Sequence, residues 1–310
     1  MDEYAADAQA SLPGIPGPKR RRLEPVFPIV EAFGYQVGAG TAESQAALDR
    51  RWCRFAGTPC EKFRQYKAGY CAVTYAAADD GGVRRTYAVC DHRLDGEPVW
   101  HAVRDHFGRT DGVELAAEVS VGKPRRAFDY AAFTHQGGEV DDLIVIETQT
   151  IDMRGGGVMP AWQALLDGKP EQWRQYFTKD AAERGRRDTV AYGVNMANIY
   201  KRLGSQIVFK GVYLKDLGIP LYVVMQDRPY RYLRRRIAFP EAPDGAWDIT
   251  FVTFDYTGAA QADGSLQFTH RATERVRLAD FIEAMAANAD TDPGERRRFL
   301  DAVKRKSRLG

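Results

Sequence analysis

Two acidic residues and one amide in the middle of the chain have the types and spacing of a metal-dependent hydrolase. Asp129 starts a strand-like segment, and Glu147 and Gln149 follow the apolar run Leu143–Ile146. Residues two apart on a strand point to one face, so we expect Glu147 and Gln149 to project together while Thr148 turns away. A carboxylate that ends a buried strand is costly unless it holds a cation. Asp129 and Glu147 therefore suit a Mg²⁺ ion.

This pair of carboxylates suits hydrolysis of a phosphodiester. Bound Mg²⁺ lowers the pKa of a water molecule and stabilises charge on the attacked phosphate. The Asp…Glu-x-Gln layout resembles that of the PD-(D/E)xK nucleases, with Gln149 in the place of the lysine. Glutamine orients water by hydrogen bonds but carries no charge, so more of the catalysis must rest on the metal. The alternative is that Asp129 and Glu147 are ordinary strand-end acids at a solvent boundary.

The four cysteines form a second candidate metal site. They are Cys53, Cys60, Cys71 and Cys90, separated by 6, 10 and 18 residues. The chain has no recognisable secretion signal, so we expect reduced thiols and no disulfides. Four thiols in a short stretch with little core predict a tetrahedral metal site that folds the segment. Zinc is the default ion, iron also accepts four thiolates, and four buried unreactive thiols are the alternative.

The distribution of charge says more about partners than the total does. The 310 residues carry a net charge of only +2, but the basic residues are clustered. Contact with DNA phosphates requires such local positive patches and not a high overall charge. Solvated surface charge is the alternative for each cluster. The clusters are Lys19–Arg22, Arg184–Arg187, Arg231–Arg236 and Arg296–Arg308.

The sequence gives no sign of a membrane segment. No run approaches the roughly 20 apolar residues that a membrane helix needs. The acidic N-terminus lacks the apolar core and cleavage site of a secretory signal, so we expect a cytoplasmic protein. Residues 11–22 are rich in Pro and Gly and end in a basic cluster, so we expect residues 1–22 to form a flexible basic arm.

The elements that must position these side chains fall into two parts. We expect residues 23–107 to hold N-terminal helices and the four-cysteine module, and residues 108–310 to form the catalytic domain. In the first part the sequence predicts helices at 23–34, Ala42–Trp52 and Pro98–Phe107, with short strands at Tyr70–Tyr75 and Thr86–Val89.

The second part mixes strands and helices, which is typical of an α/β fold. Strands are predicted at Val113–Val121, Ala127–Thr134, Asp142–Thr150 and Leu221–Met225, and a hairpin joins Ile249–Tyr256 to Ser265–Arg277 across Asp263-Gly264. Helices are predicted at Pro160–Leu166, Glu171–Phe177, Val194–Phe209, Leu278–Ala287 and Glu295–Lys306. We therefore expect a mixed central sheet flanked by helices, with the small four-cysteine metal-binding module inserted.

Four motifs in the same order make most of the chain similar to the NotI/EagI family of type II restriction endonucleases. They are the opening Val30–Tyr35; the cysteine module, with Cys53-x6-Cys60, Gly69–Thr74 and Ala88–Leu94; the stretch Val145–Gly155 with the same Glu-x-Gln variant; and the helix Gly193–Leu203, continuing to Gln206-Ile207. The chain departs from the family at Asp91–Arg93, where Pro-Asn-Arg is usual, and in its basic N-terminal arm. These departures leave the recognition sequence open.

The resemblance implies a PD-(D/E)xK nuclease core in which Asp129, Glu147 and Gln149 are catalytic. Glu118 falls where the family has an upstream glutamate, and is expected to bind metal or polarise water. The metal in the four-cysteine module would be iron, with a structural role and a share in contacting DNA. The enzyme would act as a homodimer on a GC-rich palindrome, beside a cognate DNA methyltransferase.

Recognition of a GC-rich site favours arginine, which donates two hydrogen bonds to guanine in the major groove. The candidates for base contact are Arg54, Arg64, Arg93 and Arg154, with Asn195, Asn198 and Lys201 on the helix after the active-site strand. A phosphate contact is the alternative role for each.

Two rival functions stay open. One is a DNA-binding regulator with a four-cysteine finger and no cutting activity. The other is a modification-dependent or repair nuclease on the same scaffold. The five histidines show no ligand spacing, which argues against an HNH-type or zinc-hydrolase site.

Overall fold

The computed structural model of the protein describes residues 26–76, 82–155, 157–186, 190, 192–287 and 294–306. The basic arm expected at 1–22 lies outside these ranges. Within them, no helix combines the length and the apolar character needed to cross a membrane. The observed architecture is mixed α/β, with a large mixed sheet flanked by helices.

The N-terminal part contains a small antiparallel sheet of four strands. In chain order, the elements of this N-terminal part are β1 (Ile29–Ala32), β2 (Tyr35–Gln36), α1 (Ala42–Arg50), β3 (Trp52–Cys53), β4 (Thr58–Pro59), α2 (Glu61–Tyr66), β5 (Tyr70–Ala76) and β6 (Arg84–Ala88), then a 3₁₀ turn at Asp91–Arg93 and α3 (Glu97–Phe107). The sheet has the order β2-β1-β5-β6, and β3 pairs with β4 separately. The predicted helices α1 and α3 and strands β5 and β6 are confirmed.

The helix expected at 23–34 is wrong over the part that the structure describes. Residues Ile29–Ala32 form strand β1, in which the buried Ile29 and Glu31 alternate with less buried neighbours. Gly34, with φ of 91°, lies in the turn between β1 and β2 and does not end a helix. A short apolar run fits either a strand or a helix, and pairing with β5 decides the outcome here.

A six-stranded mixed sheet forms the centre of the larger part. The elements after α3 are β7 (Glu114–Val121), β8 (Arg126–Gln136), β9 (Glu139–Gln149), β10 (Met153–Gly155), α4 (Met159–Leu166), α5 (Trp173–Glu183), β11 (Tyr192–Val194), α6 (Met196–Asn198), α7 (Gly204–Asp216), β12 (Leu221–Gln226), α8 (Asp227–Arg236), β13 (Ile249–Ala260), β14 (Leu266–Val276), α9 (Leu278–Ala287) and α10 (Glu295–Lys306). The order is β14-β13-β12-β9-β8-β7. Strand β12 is parallel to both β9 and β13, and the other neighbours are antiparallel.

The two faces of the central sheet pack against different helices. Ile144 and Ile146 of β9 belong to the hydrophobic core that includes α3. Val145 belongs to the other core, which includes Ile207 of α7. Because neighbouring residues of a strand point to opposite faces, Glu147 lies on the same face as Val145, the face that α7 covers.

The cysteine segment is not poor in core, contrary to the expectation from its sequence. Cys53, Cys60 and Tyr70 are buried in the same hydrophobic core as Trp162 of α4. The Trp162 indole N–H donates a hydrogen bond of 2.6 Å to the Lys67 carbonyl. The segment therefore shares its core with the helices of the larger part.

Gln226, at the end of β12, joins the small sheet to the central one. It is fully buried, and its Oε1 accepts a hydrogen bond of 3.0 Å from the Ala88 amide. Its Nε2 donates to the Thr86 carbonyl at 2.7 Å and to Asp255 at 2.8 Å. All of its hydrogen-bonding atoms are thus used to hold β6 against β12 and β13.

Candidate active site

Strands β8 and β9 bring Asp129 and Glu147 side by side. Tyr130 pairs with Ile146, and one further step of the same register places Asp129 opposite Glu147. Directly opposite residues of an antiparallel pair lie on the same face of the sheet. The fold thus places these two carboxylates together, as their sequence pattern predicts.

Glu118 on β7 completes a row of three carboxylates. It follows Ala117, which pairs with Tyr130, so the register places Glu118 opposite Asp129. Glu118 is exposed and has a φ of 54°, a left-handed conformation that is uncommon for residues other than glycine. Such strained conformations cluster at functional sites. Glu118, Asp129 and Glu147 therefore extend across three neighbouring strands.

Thr148 fixes the Asp129 carboxylate. Asp129 Oδ2 accepts a hydrogen bond from the Thr148 amide at 2.8 Å and another from the Thr148 hydroxyl at 3.1 Å. The expectation that Thr148 turns away from the site is therefore wrong. The backbone hydrogen-bond ladder between β8 and β9 ends at Tyr130 and Ile146, which leaves the Thr148 amide to pair with a side chain.

Glu147 is buried, and its two carboxylate oxygens have different environments. Oε2 accepts a hydrogen bond of 2.5 Å from the Lys210 ammonium. Oε1 is buried and has no hydrogen-bond partner within the described ranges. Burial, and then the charge of Asp129, raise the pKa of Glu147 to about 7, although Lys210 acts in the opposite direction. An unpartnered buried carboxylate oxygen is a suitable ligand for a cation.

Helix α7 supplies Lys210, which the sequence motifs do not single out. Arg202, Gln206 and Lys210 recur at four-residue spacing and border the same cavity as the carboxylates. The expected helix Val194–Phe209 starts later and ends later in the structure, and a π-helical turn at Ile199–Leu203 precedes α7. The Glu-x-Lys motif places the lysine on the strand, so it does not identify Lys210. The only sequence signal for Lys210 is the periodicity of polar residues on the helix.

Gln149 lies at the same cavity but is engaged with its own backbone. Its Nε2 donates a hydrogen bond of 2.6 Å to the Thr150 carbonyl. The amide oxygen is left to accept a hydrogen bond, for example from water. Gln149 therefore lies where the sequence predicts it, and brings no charge to the site.

These side chains line a groove of about 1140 Å³ between the central sheet, the α6–α7 segment and the N-terminal part. The sheet contributes Glu118, Asp129, Glu147 and Gln149, the helical segment contributes Arg202, Gln206 and Lys210, and the N-terminal part contributes Lys62, Tyr66, Asp91 and His92. Three carboxylates thus lie on the floor of the groove. The walls carry both signs of charge, with His92 beside Asp95 and Arg202 beside Asp152.

The turn after Cys90 connects the N-terminal wall of the groove to β8 and to the end of β9. Asp91 accepts a hydrogen bond from the Thr150 hydroxyl. Asp95 accepts one of 2.6 Å from Tyr130 and also contacts His92 at 2.6 Å. The hydrogen bond with Asp95 raises the pKa of His92 to about 9, so His92 carries a positive charge at neutral pH. Asp91, one of the residues at which the chain departs from the family that its motifs resemble, therefore contacts the end of β9.

The four cysteines are free and buried, and they influence one another's ionisation. The Cys53 sulfur accepts a hydrogen bond of 3.5 Å from the Ala56 amide, and Cys60 accepts one of 3.4 Å from the Phe63 amide. A hydrogen bond from Cys71 lowers the pKa of the Cys90 thiol.

In the described ranges, no three His, Cys, Asp or Glu side chains have the arrangement of a metal site. This holds for the thiols and for the carboxylates of the groove. Both metal sites therefore stay predictions that rest on the chemistry of the donor atoms.

Arg93 cannot serve as a reader of DNA bases, contrary to the prediction. It is buried, its guanidinium lies 3.2 Å from Glu31, and it donates a hydrogen bond of 3.0 Å to the Leu266 carbonyl. The rings of Phe55 and Phe268 lie within 4.8 Å and 4.4 Å of its guanidinium carbon. Arg93 is a structural residue, because all of these partners keep it inside the protein.

The other predicted DNA contacts are partly engaged within the chain. Arg54 forms an ion pair with Asp263 and stacks on Tyr35. Asn198 donates a hydrogen bond of 2.9 Å to Asp152, as Arg202 does. Asn195 is half-buried and precedes α6, while Arg64 on α2, Arg154 on β10 and Lys201 on the π-helical turn are exposed.

Comparisons with known proteins add no family to this description. No protein-family model matches the chain, and no curated protein matches it. Its function is therefore inferred from its own motifs and from the side chains that line the groove.

Proposed function

We propose that the chain is a Mg²⁺-dependent deoxyribonuclease that cuts double-stranded DNA at a specific site, as type II restriction endonucleases do. The observation that supports this most is the row of Glu118, Asp129 and Glu147 on three neighbouring strands, at the floor of a groove. A negatively charged substrate approaches such a floor only together with a cation. The phosphate of DNA is such a substrate, and the Lys62, His92 and Arg202 side chains on the walls are cations that it could contact.

Asp129 and Glu147 would hold the Mg²⁺ ion, with Glu118 beside Asp129. The residues fit the ion because Mg²⁺ prefers oxygen ligands, and because the buried Glu147 Oε1 has no partner within the described ranges. When bound, Mg²⁺ supplies Lewis-acid chemistry, activating water and stabilising charge on the phosphate. Thr148 holds the Asp129 carboxylate in place for this role.

The proposed reaction is hydrolysis of a phosphodiester. A water oxygen forms a bond to phosphorus, and the bond from phosphorus to the 3′ oxygen breaks. The 3′ oxygen keeps the bonding electrons and takes up a proton from solvent, while the attacking water loses one. The products are a 5′-phosphate and a 3′-hydroxyl. Gln149, at the groove, would orient the water through its amide oxygen.

The four cysteines would hold a structural iron ion, with zinc as the alternative. Burial raises the pKa of the Cys53 and Cys60 thiols, and amide hydrogen bonds to their sulfurs act in the opposite direction, toward the thiolate form that a metal requires. The ion would fasten β3, β4 and α2 to β5 and to the turn after β6. That turn carries Asp91 and Asp95, which contact the catalytic strands.

The proposed partner is a palindromic, GC-rich duplex, and the proposed assembly is a homodimer whose two-fold axis matches that of the DNA. A cognate DNA methyltransferase would protect the host sites. Arg64, Arg154 and Lys201 are the exposed candidates for contact with the duplex, to phosphates or to bases.

A plasmid assay tests this function. The protein is incubated with supercoiled plasmid and with methylated and unmethylated genomic DNA, in Mg²⁺ and then in EDTA, and the cut ends are sequenced. We expect discrete fragments with one end sequence in Mg²⁺ and none in EDTA. Binding without cutting would instead identify a regulator, and cutting of methylated DNA alone would identify a modification-dependent nuclease.

A further inference from the structure

The groove has a largely buried cation, Lys210, that the carboxylate motif does not account for. Lys210 reaches Glu147 from α7, with its Nζ 2.5 Å from Oε2 and only 12% of its side chain exposed. The ring centroid of Phe128 lies 5.4 Å from the same nitrogen. On β9 itself, the position two residues after Glu147 is Gln149, which carries no charge. The helix thus delivers a positive charge where the strand has none.

The contact between Lys210 and Glu147 is incomplete as a structural ion pair. A buried ion pair repays the cost of desolvation only when its remaining donors and acceptors are also satisfied. Glu147 Oε1 has no partner within the described ranges. Asp129, opposite Glu147, adds a second negative charge that one ammonium does not balance. The cluster of Lys210, Glu147 and Asp129 can therefore bind a further cation, and that cation can in turn bind an anion.

We propose that Lys210 is a catalytic residue whose ammonium contacts the phosphate that is cut, and so supplies from α7 the charge that Gln149 cannot. This inference rests on the proposed function. A divalent cation and the Lys210 ammonium compete for the same Glu147 carboxylate. An ammonium displaced from its carboxylate in a buried place needs another anionic partner, and the DNA phosphate is the anion that the groove admits.

Lys210 takes no covalent part in this step. Its ammonium stabilises the negative charge that builds up on the phosphate oxygens as water attacks. Removing one donor of this kind from an active site slows catalysis by about 100-fold to 1000-fold. Removing a positive charge from beside a metal site should strengthen metal binding, because like charges repel. These two effects have opposite signs, which a purely structural role does not predict.

The test compares the wild type with Lys210→Met and Lys210→Arg, and with Lys215→Met as a matched control. Lys215 lies on the same helix, is half-exposed and pairs with Asp248 outside the groove. Three quantities are measured: the single-turnover cleavage rate, the Kd for DNA in Ca²⁺, and the Kd for Mg²⁺ by calorimetry without DNA. Thermal melting checks that each variant is folded.

We expect Lys210→Met to cut about 100-fold more slowly, with the Kd for DNA within about threefold of wild type. At alkaline pH, where the Glu147 carboxyl is ionised with or without Lys210 beside it, the variant's Kd for Mg²⁺ should fall by about tenfold. Lys210→Arg should recover most of the rate, and Lys215→Met should match wild type in all three measurements.

Several results would overturn the inference. If Lys210→Met cuts as fast as wild type, Lys210 is not catalytic, and the proposed nuclease function stands without it. If Lys210→Met binds Mg²⁺ more weakly at alkaline pH, or both Lys210 variants lose rate and DNA affinity together, Lys210 is structural. If the wild type cuts no duplex, the proposed function fails, and the role of Lys210 fails with it.

Discussion

At the scale of single residues, the capacity of the groove to bind a cation depends on which carboxylate oxygens already accept hydrogen bonds. Thr148 occupies Asp129 Oδ2, and Lys210 occupies Glu147 Oε2. Glu147 Oε1 has no partner among the described residues. A cation would therefore meet one free oxygen on Glu147 and would have to share the other with an ammonium.

Neutralising either carboxylate should abolish cutting. Asp129→Ala and Glu147→Gln each remove a proposed Mg²⁺ ligand, and we expect a loss of at least about 1000-fold in single-turnover rate with folding kept. Gln149→Ala should cost less, because it removes hydrogen bonds and no charge. Glu139→Gln is the matched control, since Glu139 is an exposed glutamate at the other end of β9. Full activity of Asp129→Ala would show that the active-site assignment is wrong.

The raised pKa of Glu147 predicts how metal binding depends on pH. Below a pH of about 7 this carboxyl is protonated in the metal-free protein, so Mg²⁺ must displace a proton. We expect the affinity for Mg²⁺ to fall by about tenfold for each pH unit below 7 and to level off above it. Calorimetry between about pH 5.5 and 8.5 measures this.

The same shift has a consequence for stability. Folding raises the pKa of Glu147 from 4.5 in the unfolded chain to about 7. The stabilising contribution of Glu147 to the free energy of unfolding is therefore fully present below pH 4.5 and is lost as the pH rises through about 7. Stabilisation of the fold by Mg²⁺ should therefore grow across that window. An affinity for Mg²⁺ that is independent of pH from 5.5 to 8.5 would contradict a role for Glu147 as a ligand.

Arg93 should matter for stability and not for DNA recognition. Arg93→Met leaves the fully buried Glu31 without its cationic partner, and removing one member of a buried ion pair costs about 3–5 kcal/mol. Adding Glu31→Leu should restore part of the free energy of unfolding, because the double variant leaves no unpaired charge. Denaturant titration of the two single variants and the double variant measures the coupling. A cost under about 1 kcal/mol for Arg93→Met would refute this account.

The sequence predicts the carboxylates better than the cations. Asp129 and Glu147 can be found because strand periodicity and an acid after an apolar run are local signals. Lys210 and Arg93 cannot be placed in this way, because their partners lie on strands distant in sequence. An arginine that is buried against Glu31 looks the same in sequence as one that faces DNA.

At the scale of elements, local pattern predicts long strands and helices well and short ones less well. The strands of the central sheet and the hairpin across Asp263-Gly264 are present as expected. The sequence predicts a helix where strand β1 forms. Four residues are too few to distinguish the two-residue repeat of a strand from the 3.6-residue repeat of a helix. The π-helical turn before α7 has no signature in composition, since it depends on how the helix packs.

The cysteine segment should lose its metal, but not its whole fold, when one ligand is removed. Cys60→Ser should release the bound iron or zinc and lower the melting temperature. The core that the segment shares with Trp162 should keep residues around β5 and β6 ordered. Thr58→Ala, at an exposed position on β4, is the control.

Metal analysis and melting curves compare Cys60→Ser with the control. About one metal ion per chain is expected in the wild type and in Thr58→Ala. Metal-free wild-type protein with four alkylatable thiols and full activity would remove the case for a metal in this segment.

At the scale of the whole molecule, the groove belongs to neither sheet alone. Its floor comes from the central sheet, while Lys62, Asp91 and His92 come from the N-terminal part. The hydrogen bonds that Asp91 accepts from Thr150 and Asp95 accepts from Tyr130 hold these surfaces in one arrangement. A duplex lying in the groove would therefore touch both parts at once.

The buried Gln226 has a consequence for how the protein opens. The Ala88 amide of β6 donates a hydrogen bond to the Gln226 side chain, which belongs to the central sheet. Strand β6 therefore cannot separate from the protein without exposing the core of the central sheet. Hydrogen exchange at Ala88 should then report global unfolding, as exchange in the centre of β12 does. In Gln226→Ala, β6 should exchange faster than β12, which mass spectrometry of peptides can resolve. If β6 of the wild type already exchanged faster than β12, the protein would consist of two cooperative folding units. We expect a single cooperative unit that includes the cysteine segment. The cysteine segment would then not fold as an independent finger in another protein.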